Sequence, residues 1–415
     1  RLRWAESTGK GQDVTEALSG FHYKHESTPL PKDLADQLFK PGGRFFGSVT
    51  RFENYRRCPF MYFVRYGLKI DKRDEGEMES MDFGSYLHAG LHQFGQSLSK
   101  EKKQWRDATD EDIQNLSETI ASRLAPKVRY GALHADGASR YTEKALNETF
   151  RRSLTALRKW SQNSSFDTKA LEKEFYLHLS GEKDTFTLNG KIDRIDSCGE
   201  AVAIFDYKTG HTTATLQEAV AGLKLQLLTY LLDVEEEGGG GLLPAALMYI
   251  YLSGDVKSLP AVPPGGKPPL KDKEYTSGWI LSDTDILRRL DGAAGEEDSF
   301  LPVKLSGKGT LTQTASTLSA EDFQNLLTIV KRKLLEIYHH MEKGHIPIHP
   351  VRYKNQMPCT YCPFHAICRF DPKGEGESYD YVNLPTDREL KKQLAERAME
   401  KPQGPEGSEG SKGEG

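Results

Sequence analysis

The chain has 415 residues, of which 28% are charged and 37% hydrophobic, and its formal net charge at pH 7 is -4. This length exceeds one domain of ordinary size and allows a substantial buried core. The near-neutral balance excludes nucleic-acid binding that depends on overall charge, so such binding would need a local basic patch. No apolar run is long enough for a membrane span and no signal peptide opens the chain, which predicts an intracellular, reducing compartment without a membrane partner.

The first part of the chain is polar and is interrupted by Pro29, Pro31 and Pro41. Such composition is typical of a linker, and we therefore predict a linker over residues 1–43. The chain starts at Arg1 without a methionine. This start favours the C-terminal part of a longer protein, with the linker leading from an upstream region.

A basic and aromatic segment follows from Arg44 to Arg73, with eight basic side chains against two acidic ones. Aromatic rings among arginines are typical of a groove that tracks a nucleic-acid strand. The same pattern also fits an amphipathic helix with an aromatic core face and a solvated basic face. Both interpretations stay open. Ser48 or Thr50 is predicted to cap this helix, which carries Cys58.

Hydrophobic periodicity predicts the elements of the remaining chain. Helical spacing predicts helices over 82–98, within 110–162, over 224–232 and over 320–343. Alternating or continuous apolar stretches predict strands over 170–179, 185–193, 201–207 and 245–252. The first three strands form a predicted meander, and the succession of strands, helix and strand predicts an α/β core. Surface loops are predicted at 238–241 and 260–278, and a disordered tail after Lys401.

Cys58 lies about 300 residues from a Cys-x2-Cys-x5-Cys cluster formed by Cys359, Cys362 and Cys368. Three local thiolates leave one coordination position of a metal centre, and Cys58 is the predicted fourth ligand. Four thiolates suit either a tetrahedral zinc ion or a [4Fe-4S] cluster. The unpaired third cysteine and the prolines that follow Cys58 and Cys362 favour iron, while zinc stays open. Cys198 is predicted to be a small residue of a hairpin turn.

The predicted chemistry lies in the meander. Asp193 ends one strand in Gly-Lys-Ile-Asp-Arg-Ile-Asp, and Asp206 and Lys208 end the next in Phe-Asp-Tyr-Lys-Thr-Gly. Because side chains alternate across a strand, Asp206 and Lys208 share one face, while the Tyr207 side chain points away and leaves its carbonyl available. Two carboxylates, a carbonyl and waters are ligands that Mg²⁺ accepts. Lys208 would orient or deprotonate the attacking water, or stabilise charge that develops on a phosphate.

These motifs, in this order, resemble the RecB-like branch of the PD-(D/E)xK nucleases, and within it the C-terminal nuclease domains of the AddB family. The similar segments are Ser48-Val-Thr-Arg-Phe-Glu-Asn-Tyr-Arg-Arg-Cys-Pro-Phe60, Asn189-Gly-Lys-Ile-Asp-Arg-Ile-Asp196 and Pro358-Cys-Thr-Tyr-Cys-Pro-Phe-His-Ala-Ile-Cys368. The likeness covers roughly residues 44 to 372. It implies a restriction-endonuclease-like α/β core sheet flanked by helices, with N- and C-terminal helical segments joined by a metal cluster.

The resemblance also implies roles for individual residues. His88 would be a metal ligand beside the two aspartates and the Tyr207 carbonyl. Gln226 and Tyr230 are four residues apart and therefore on one helix face, and they would lie at the active site or the DNA backbone. Glu172 or Glu174 would match a glutamate on the first core strand. The four cysteines would hold a structural [4Fe-4S] cluster, and Mg²⁺, for which Mn²⁺ substitutes, would serve catalysis.

The implied function is metal-dependent hydrolysis of single-stranded DNA, with the 5′-ended strand handled by this chain. The wider context would be a helicase-nuclease of the bacterial cytoplasm that processes double-strand breaks for recombination, with an AddA-like helicase-nuclease subunit as partner. The sequence has no Gly-x4-Gly-Lys-Ser/Thr loop, so the motor and any hotspot recognition are expected elsewhere.

Two alternatives remain. One is a stand-alone or CRISPR-associated iron-sulfur exonuclease of the same fold, and the other is a DNA-binding module with a vestigial nuclease site. The presence of all of His88, Asp193, Asp206 and Lys208 argues against the vestigial site.

The predicted nuclease domain over 44–372 has four parts. They are a helical part with Cys58 and His88 over 44–165, the catalytic α/β core over 166–255, a loop-rich insertion over 256–318, and a long helix with the cysteine trio over 319–372. A C-terminal tail, partly disordered, is predicted over 373–415.

Overall fold

The computed structural model describes residues 28–71, 78–134, 136–181, 185–210, 212–252, 276–296, 299–306, 309, 311–312, 314–373 and 378–400. Three predictions therefore lie wholly or partly outside the described residues: the first 27 residues of the linker, most of the loop over 260–278, and the disordered tail after Lys401.

The N-terminal part of the described chain contains three short helices and one strand. They are α1 (Lys32–Phe39), β1 (Phe46–Ser48), α2 (Val49–Arg57) and α3 (Pro59–Tyr62). Ala35 and Phe39 of α1 are 1% and 5% exposed and belong to the main core. The prediction of an irregular linker is therefore wrong at α1, because two apolar side chains four residues apart give this segment a buried face.

Three long helices follow, at positions that the apolar periodicity predicted. They are α4 (Ser80–Lys100), α5 (Asp110–Leu124) and α6 (Gly137–Gln162). Capping boxes open the first two of them, with Glu79 and Asp82 at α4 and Thr109 and Asp112 at α5. In each box a side chain accepts a hydrogen bond from a backbone N–H that the helix itself leaves without a partner.

A seven-stranded mixed sheet forms the centre of the fold. Its strands are β2 (Asp167–Ser180), β3 (Thr185–Cys198), β4 (Ala201–Lys208), β5 (Leu243–Tyr251), β6 (Thr276–Leu281) and β7 (Thr317–Leu318), together with β1. The strand order is β1-β3-β4-β5-β6-β7, and β2 pairs antiparallel with β3. The predicted meander of β2, β3 and β4 is confirmed, and β5 pairs parallel with β4.

Helices cover both faces of this sheet. Along β4, Val202 and Ile204 belong to one core, whereas Ala203 and Phe205 belong to the other. The first core also contains residues of α8 (Gln226–Glu237) and α10 (Ala320–Glu342), and the second contains residues of α4, α5 and α6. The prediction that β4 is buried on both faces is thus confirmed, as is the α/β core sheet flanked by helices.

Two segments are more ordered than their composition predicted. Strands β6 and β7 lie within the predicted loop-rich insertion and extend the central sheet, and Gly278 of β6 pairs with Met248, so the loop prediction is wrong there. The predicted tail contains helix α12 (Asp387–Met399), which packs on α10 with Leu390 and Leu394 fully buried.

Short elements complete the described chain: α7 (Leu216–Val220), α9 (Thr284–Leu290), β8 (Val351–Arg352), α11 (His365–Cys368) and β9 (Asp380–Tyr381). The peptide chain leaves α10 through Gly344, whose carbonyl accepts a hydrogen bond from the Leu30 N–H at 2.9 Å. Within the described residues, no helix combines the length and the apolar character that crossing a membrane requires.

Candidate active site

The end of β4 presents the predicted aspartate and lysine side by side. Asp206 is only 2% exposed, and its Oδ2 forms an ion pair with the Lys208 ammonium. Within the described residues this oxygen has no hydrogen-bond partner beyond that ion pair. Burial, and after it the charge of Asp193, raise the pKa of Asp206 to about 7, although Lys208 opposes the shift. The carboxylate is therefore held in a place where a further cation would stabilise its charged form.

Asp193 meets the backbone of β4 rather than its side chains. The pairing of β3 with β4 ends at Arg194 and Phe205, one residue short of Asp193 and Asp206. Beyond this point the Tyr207 N–H donates a hydrogen bond to Asp193 Oδ2 at 2.7 Å. The Tyr207 side chain enters the opposite core, as the alternation along the strand predicted. The two aspartates are thus brought to one end of the sheet by the place where a ladder stops.

His88, on α4, reaches the same point from above the strand ends. Its Nδ1 lies 3.2 Å from Asp193 Oδ1, and its Nε2 lies 2.9 Å from the Tyr207 carbonyl oxygen. Burial lowers the pKa of His88, but the hydrogen bond and the charge of Asp193 outweigh it, so the pKa stands above its ordinary value. Both ring nitrogens face acceptors, which favours the doubly protonated imidazolium.

Gln226 and Tyr230 contact the site through Lys208. The Lys208 ammonium donates to Gln226 Oε1 at 3.0 Å, and Gln226 Nε2 donates to the Tyr230 hydroxyl at 2.6 Å. Tyr230 is 4% exposed, and burial raises its pKa well above the ordinary value. The Lys208 ammonium also lies 5.1 Å from the ring centre of Tyr249. Lys208 is therefore fixed between a carboxylate, an amide and a ring face.

Glu53 is a residue of this site that the sequence analysis missed. It lies on α2, is 7% exposed, and its Oε1 accepts hydrogen bonds from the N–H groups of Leu225 at 2.8 Å and Gln226 at 3.3 Å. These groups belong to the start of α8, whose first N–H groups have no partner inside the helix. The available signal was that Glu53 is the sole acidic residue between Arg44 and Ile70.

The first core strand contributes Glu172, and not Glu174, to the cavity beside these residues. Glu172 has a φ of +46°, a left-handed conformation that costs a non-glycine residue about 1–3 kcal/mol. Its carboxylate lies 3.2 Å from the Lys191 ammonium. Glu174 is exposed and accepts a hydrogen bond from the Tyr176 hydroxyl at 3.4 Å. The cavity, of about 690 Å³, is lined by Ser80, Met81, Gly84, Ser85, His88, Ala89, Glu172, Lys191, Asp193, Tyr207, Lys208, Thr209, Gly210 and Thr212.

The donors around this cavity are chemically suited to Mg²⁺. They comprise two carboxylates, an imidazole and a carbonyl, and Asp206 Oδ2 is a buried oxygen whose charge is only partly compensated. As the side chains stand, no three described His, Cys, Asp or Glu residues are arranged to hold a metal ion. The reason at this site is that His88 occupies both Asp193 and the Tyr207 carbonyl. Metal binding would require His88 to release these contacts.

The four cysteines line a separate cavity. Cys58 stands at the junction of α2 and α3, and Cys359, Cys362 and Cys368 lie around a 3-10 turn and α11. Burial raises the pKa of Cys58 to about 12 and that of Cys359 to about 11. Most neighbours in the lining are apolar, among them Phe60, Met61, Ile348, Phe364 and Phe370. Four thiols around one apolar cavity, without a closed single-ion site among the described residues, fit a multinuclear cluster better than one zinc ion.

The basic and aromatic segment is built mainly as the second interpretation predicted. Phe45, Phe52, Tyr55 and Tyr62 are each at most 5% exposed and belong to the first core. Phe46, by contrast, is 53% exposed. Most of these rings therefore pack inside the protein and are not free to stack on bases, so they give no support to a strand-tracking groove along α2.

Comparisons with known proteins agree with this geometry. A family model described as the PD-(D/E)XK nuclease superfamily matches residues 47–369. Curated AddB proteins, each named as one of the subunits of an ATP-dependent helicase/deoxyribonuclease, are also similar. The protein of Geobacillus kaustophilus (strain HTA426) is 28% identical over 408 residues, which are 93% of this chain and 35% of that protein. The protein of Desulforamulus reducens is 29% identical over 381 residues, which are 87% and 33% of the two chains. The chain therefore spans about a third of the length of these relatives.

Proposed function

The chain belongs to the PD-(D/E)XK nuclease superfamily, and from that premise we propose that it is the metal-dependent DNA nuclease region of a helicase-nuclease subunit. Its substrate would be single-stranded DNA, with the 5′-ended strand assigned to this chain, and its setting the processing of double-strand breaks for recombination in the bacterial cytoplasm. The names of the relatives support the deoxyribonuclease and the helicase context. An AddA-like helicase-nuclease subunit is the proposed partner.

The observation that carries the proposal is the convergence of His88, Asp193, Asp206 and Lys208 at the ends of two neighbouring strands. A structural ion pair would not need a second carboxylate, an imidazole and a main-chain carbonyl beside it. A divalent cation bound by the two aspartates, the Tyr207 carbonyl and His88 would supply electrophilic assistance to attack on phosphorus.

The protein's own residues prepare the rest of the reaction. Lys208 places its ammonium at the open side of Asp206, where it would donate to a phosphate oxygen or orient a water for attack. Gln226 holds that ammonium at 3.0 Å, and Tyr230 holds the Gln226 amide. Glu53 fixes the helix start that carries Gln226. In the hydrolysis, the water oxygen forms a bond to phosphorus while the bond from phosphorus to one sugar oxygen breaks.

The test is degradation of end-labelled single-stranded DNA with Mg²⁺. The native chain is compared with Asp206→Asn and with a control, Asp110→Asn, whose side chain is 92% exposed on α5. We expect cleavage by the native and control proteins, and loss of cleavage in Asp206→Asn and in EDTA. A native chain that binds this DNA but leaves it intact, with the AddA-like partner present, would favour the vestigial site.

We also propose that Cys58 and the three C-terminal cysteines hold a structural [4Fe-4S] cluster. Such a cluster would tie α2 to the segment that follows α10. Iron and sulfide are measured on anaerobically purified protein, and Cys58→Ser is the matched variant. Two or more irons per native chain, with loss in the variant, support the cluster, whereas one zinc per chain contradicts it.

A further inference from the structure

A second cavity, of about 420 Å³, lies along the same helix as the nuclease site. It is lined by His92, Gln96, Ser99 and Lys100 of α4 and by Thr168, Lys169, Ala170 and Leu171 of β2. The active-site cavity uses the preceding turns of α4, up to Ala89, and the next residue of β2, Glu172. The two cavities thus share both walls and follow each other along them.

The helix wall is a row of polar side chains at four-residue spacing. His88 belongs to the first cavity, and His92, Gln96 and Lys100 belong to the second. Residues four apart lie on one helix face, and twelve residues of helix span about 18 Å. The packing that keeps this face beside the strand depends on Gly95, because a Cβ there would lie 2.2 Å from Leu171 Cδ1. The row therefore leads directly away from the proposed catalytic centre.

The lining of the second cavity has the chemistry of a phosphate-binding surface. It contains two lysines, a histidine, an amide and two hydroxyl groups, but no aspartate or glutamate. Within the described residues, the enclosed atoms His92 Nδ1 and Thr168 Oγ1 have no hydrogen-bond partner. Lysine, hydroxyl and amide side chains are the usual partners of nucleic-acid phosphates. Phe, Tyr and Trp are absent from this lining, so it offers no platform on which bases could stack.

We propose that this groove, defined by the eight residues of the second cavity, binds the phosphate backbone of a single nucleic-acid strand on one side of the scissile bond. The inference rests on the proposed nuclease function, which supplies the strand. Because the contacts are to phosphates, binding here is independent of base sequence. The length of the row corresponds to at most about five nucleotides at the 3.4 Å spacing of a stacked strand.

The test uses a fluorescent single-stranded DNA of mixed sequence in EDTA, where no cleavage occurs, and anisotropy as a function of salt. Lys100→Ala/Lys169→Ala removes the two cations of the groove. Lys127→Ala/Lys144→Ala removes two exposed lysines elsewhere in the helical part and serves as the matched control. Thermal unfolding of each variant verifies that the fold is kept.

We expect the groove variant to bind about tenfold more weakly, and the slope of log affinity against log salt to fall by about 1.4, which is 0.7 for each lost phosphate contact on a single strand. Binding equal to that of the control variant, or a native chain that does not bind, overturns the proposal. An equal loss on a duplex of the same sequence overturns the assignment to a single strand. If the native chain binds with the expected dependence but never cleaves with Mg²⁺, the proposed function fails and the groove stands.

Discussion

Replacement of Glu53 by alanine should loosen the start of α8 without touching any proposed metal ligand. Glu53 Oε1 accepts the N–H groups of Leu225 and Gln226, and Leu225 is fully buried. A buried donor left without a partner costs about 1–3 kcal/mol. The 2.8 Å bond to Leu225 should account for most of the loss, and the 3.3 Å bond to Gln226 for less. We therefore expect Glu53→Ala to lower the free energy of unfolding by about 2–4 kcal/mol.

The catalytic consequence follows from what α8 carries. Gln226 accepts from the Lys208 ammonium, so a displaced helix start shifts Lys208 as well. Small displacements of positioning groups cost up to about a hundredfold in rate. We expect kcat on single-stranded DNA to fall by about ten- to a hundredfold, with little change in KM, since Glu53 does not touch the proposed strand groove. Glu53→Gln keeps the Oε1 acceptor and should recover most of both losses.

Three measurements check this prediction: urea unfolding, steady-state kinetics, and hydrogen exchange of a peptide that covers residues 223–231. Exchange at the start of α8 should become faster in Glu53→Ala, whereas the C-terminal half of the helix should not change. Glu111→Ala, an exposed position on α5, is the control. The reasoning is refuted if Glu53→Ala has native exchange at residues 225 and 226, or if Glu53→Gln is as impaired as Glu53→Ala.

Three further predictions follow from the buried charges. Lys208→Met should lower kcat by about 10²–10⁴-fold in the DNA cleavage assay, because it removes the group that assists attack, and an unchanged rate would exclude that role. Arg194→Met breaks a buried pair whose two 2.8 Å bonds to Asp196 are shielded from water, so urea unfolding should show a loss of about 3–5 kcal/mol, and Arg194→Met/Asp196→Leu should recover most of it. His340 has a lowered pKa, first through burial and then through His345, so below its ordinary pKa of 6.5 the unfolded chain binds more protons than the folded one. The urea midpoint of the native chain should therefore fall between pH 7.5 and pH 5.5, and His340→Gln should fall less; equal falls would contradict this assignment.

The strand pattern predicted the part of the site that depends on period alone. Asp206 and Lys208 stand two residues apart at the end of an apolar strand, so their shared face follows from strand geometry. Their distance from Asp193 also follows from the predicted meander. The role of His88 came from the resemblance, because a histidine on an apolar helix gives no sign of which strand it will reach.

Other features depend on contacts that the local sequence does not encode. Glu53 is surrounded in sequence by basic residues, and its partner N–H groups are about 170 residues further along the chain. Helix α12 has charged neighbours throughout, and two leucines at four-residue spacing are its main apolar signal. Strand β6 gains its order from pairing with β5, and β7 from pairing with β6. In each case long-range pairing decides the structure.

The peptide groups on either side of Tyr207 are held at both ends, by Asp193 on the N–H and by His88 on the carbonyl. The contribution of position 207 to the candidate site is therefore made by main-chain atoms, while its ring serves the opposite core. A mutational scan reads side chains only, so Tyr207→Phe should score as a neutral position in a map of activity. Such a map would leave a gap between Asp206 and Lys208, at the residue whose backbone joins the two halves of the site.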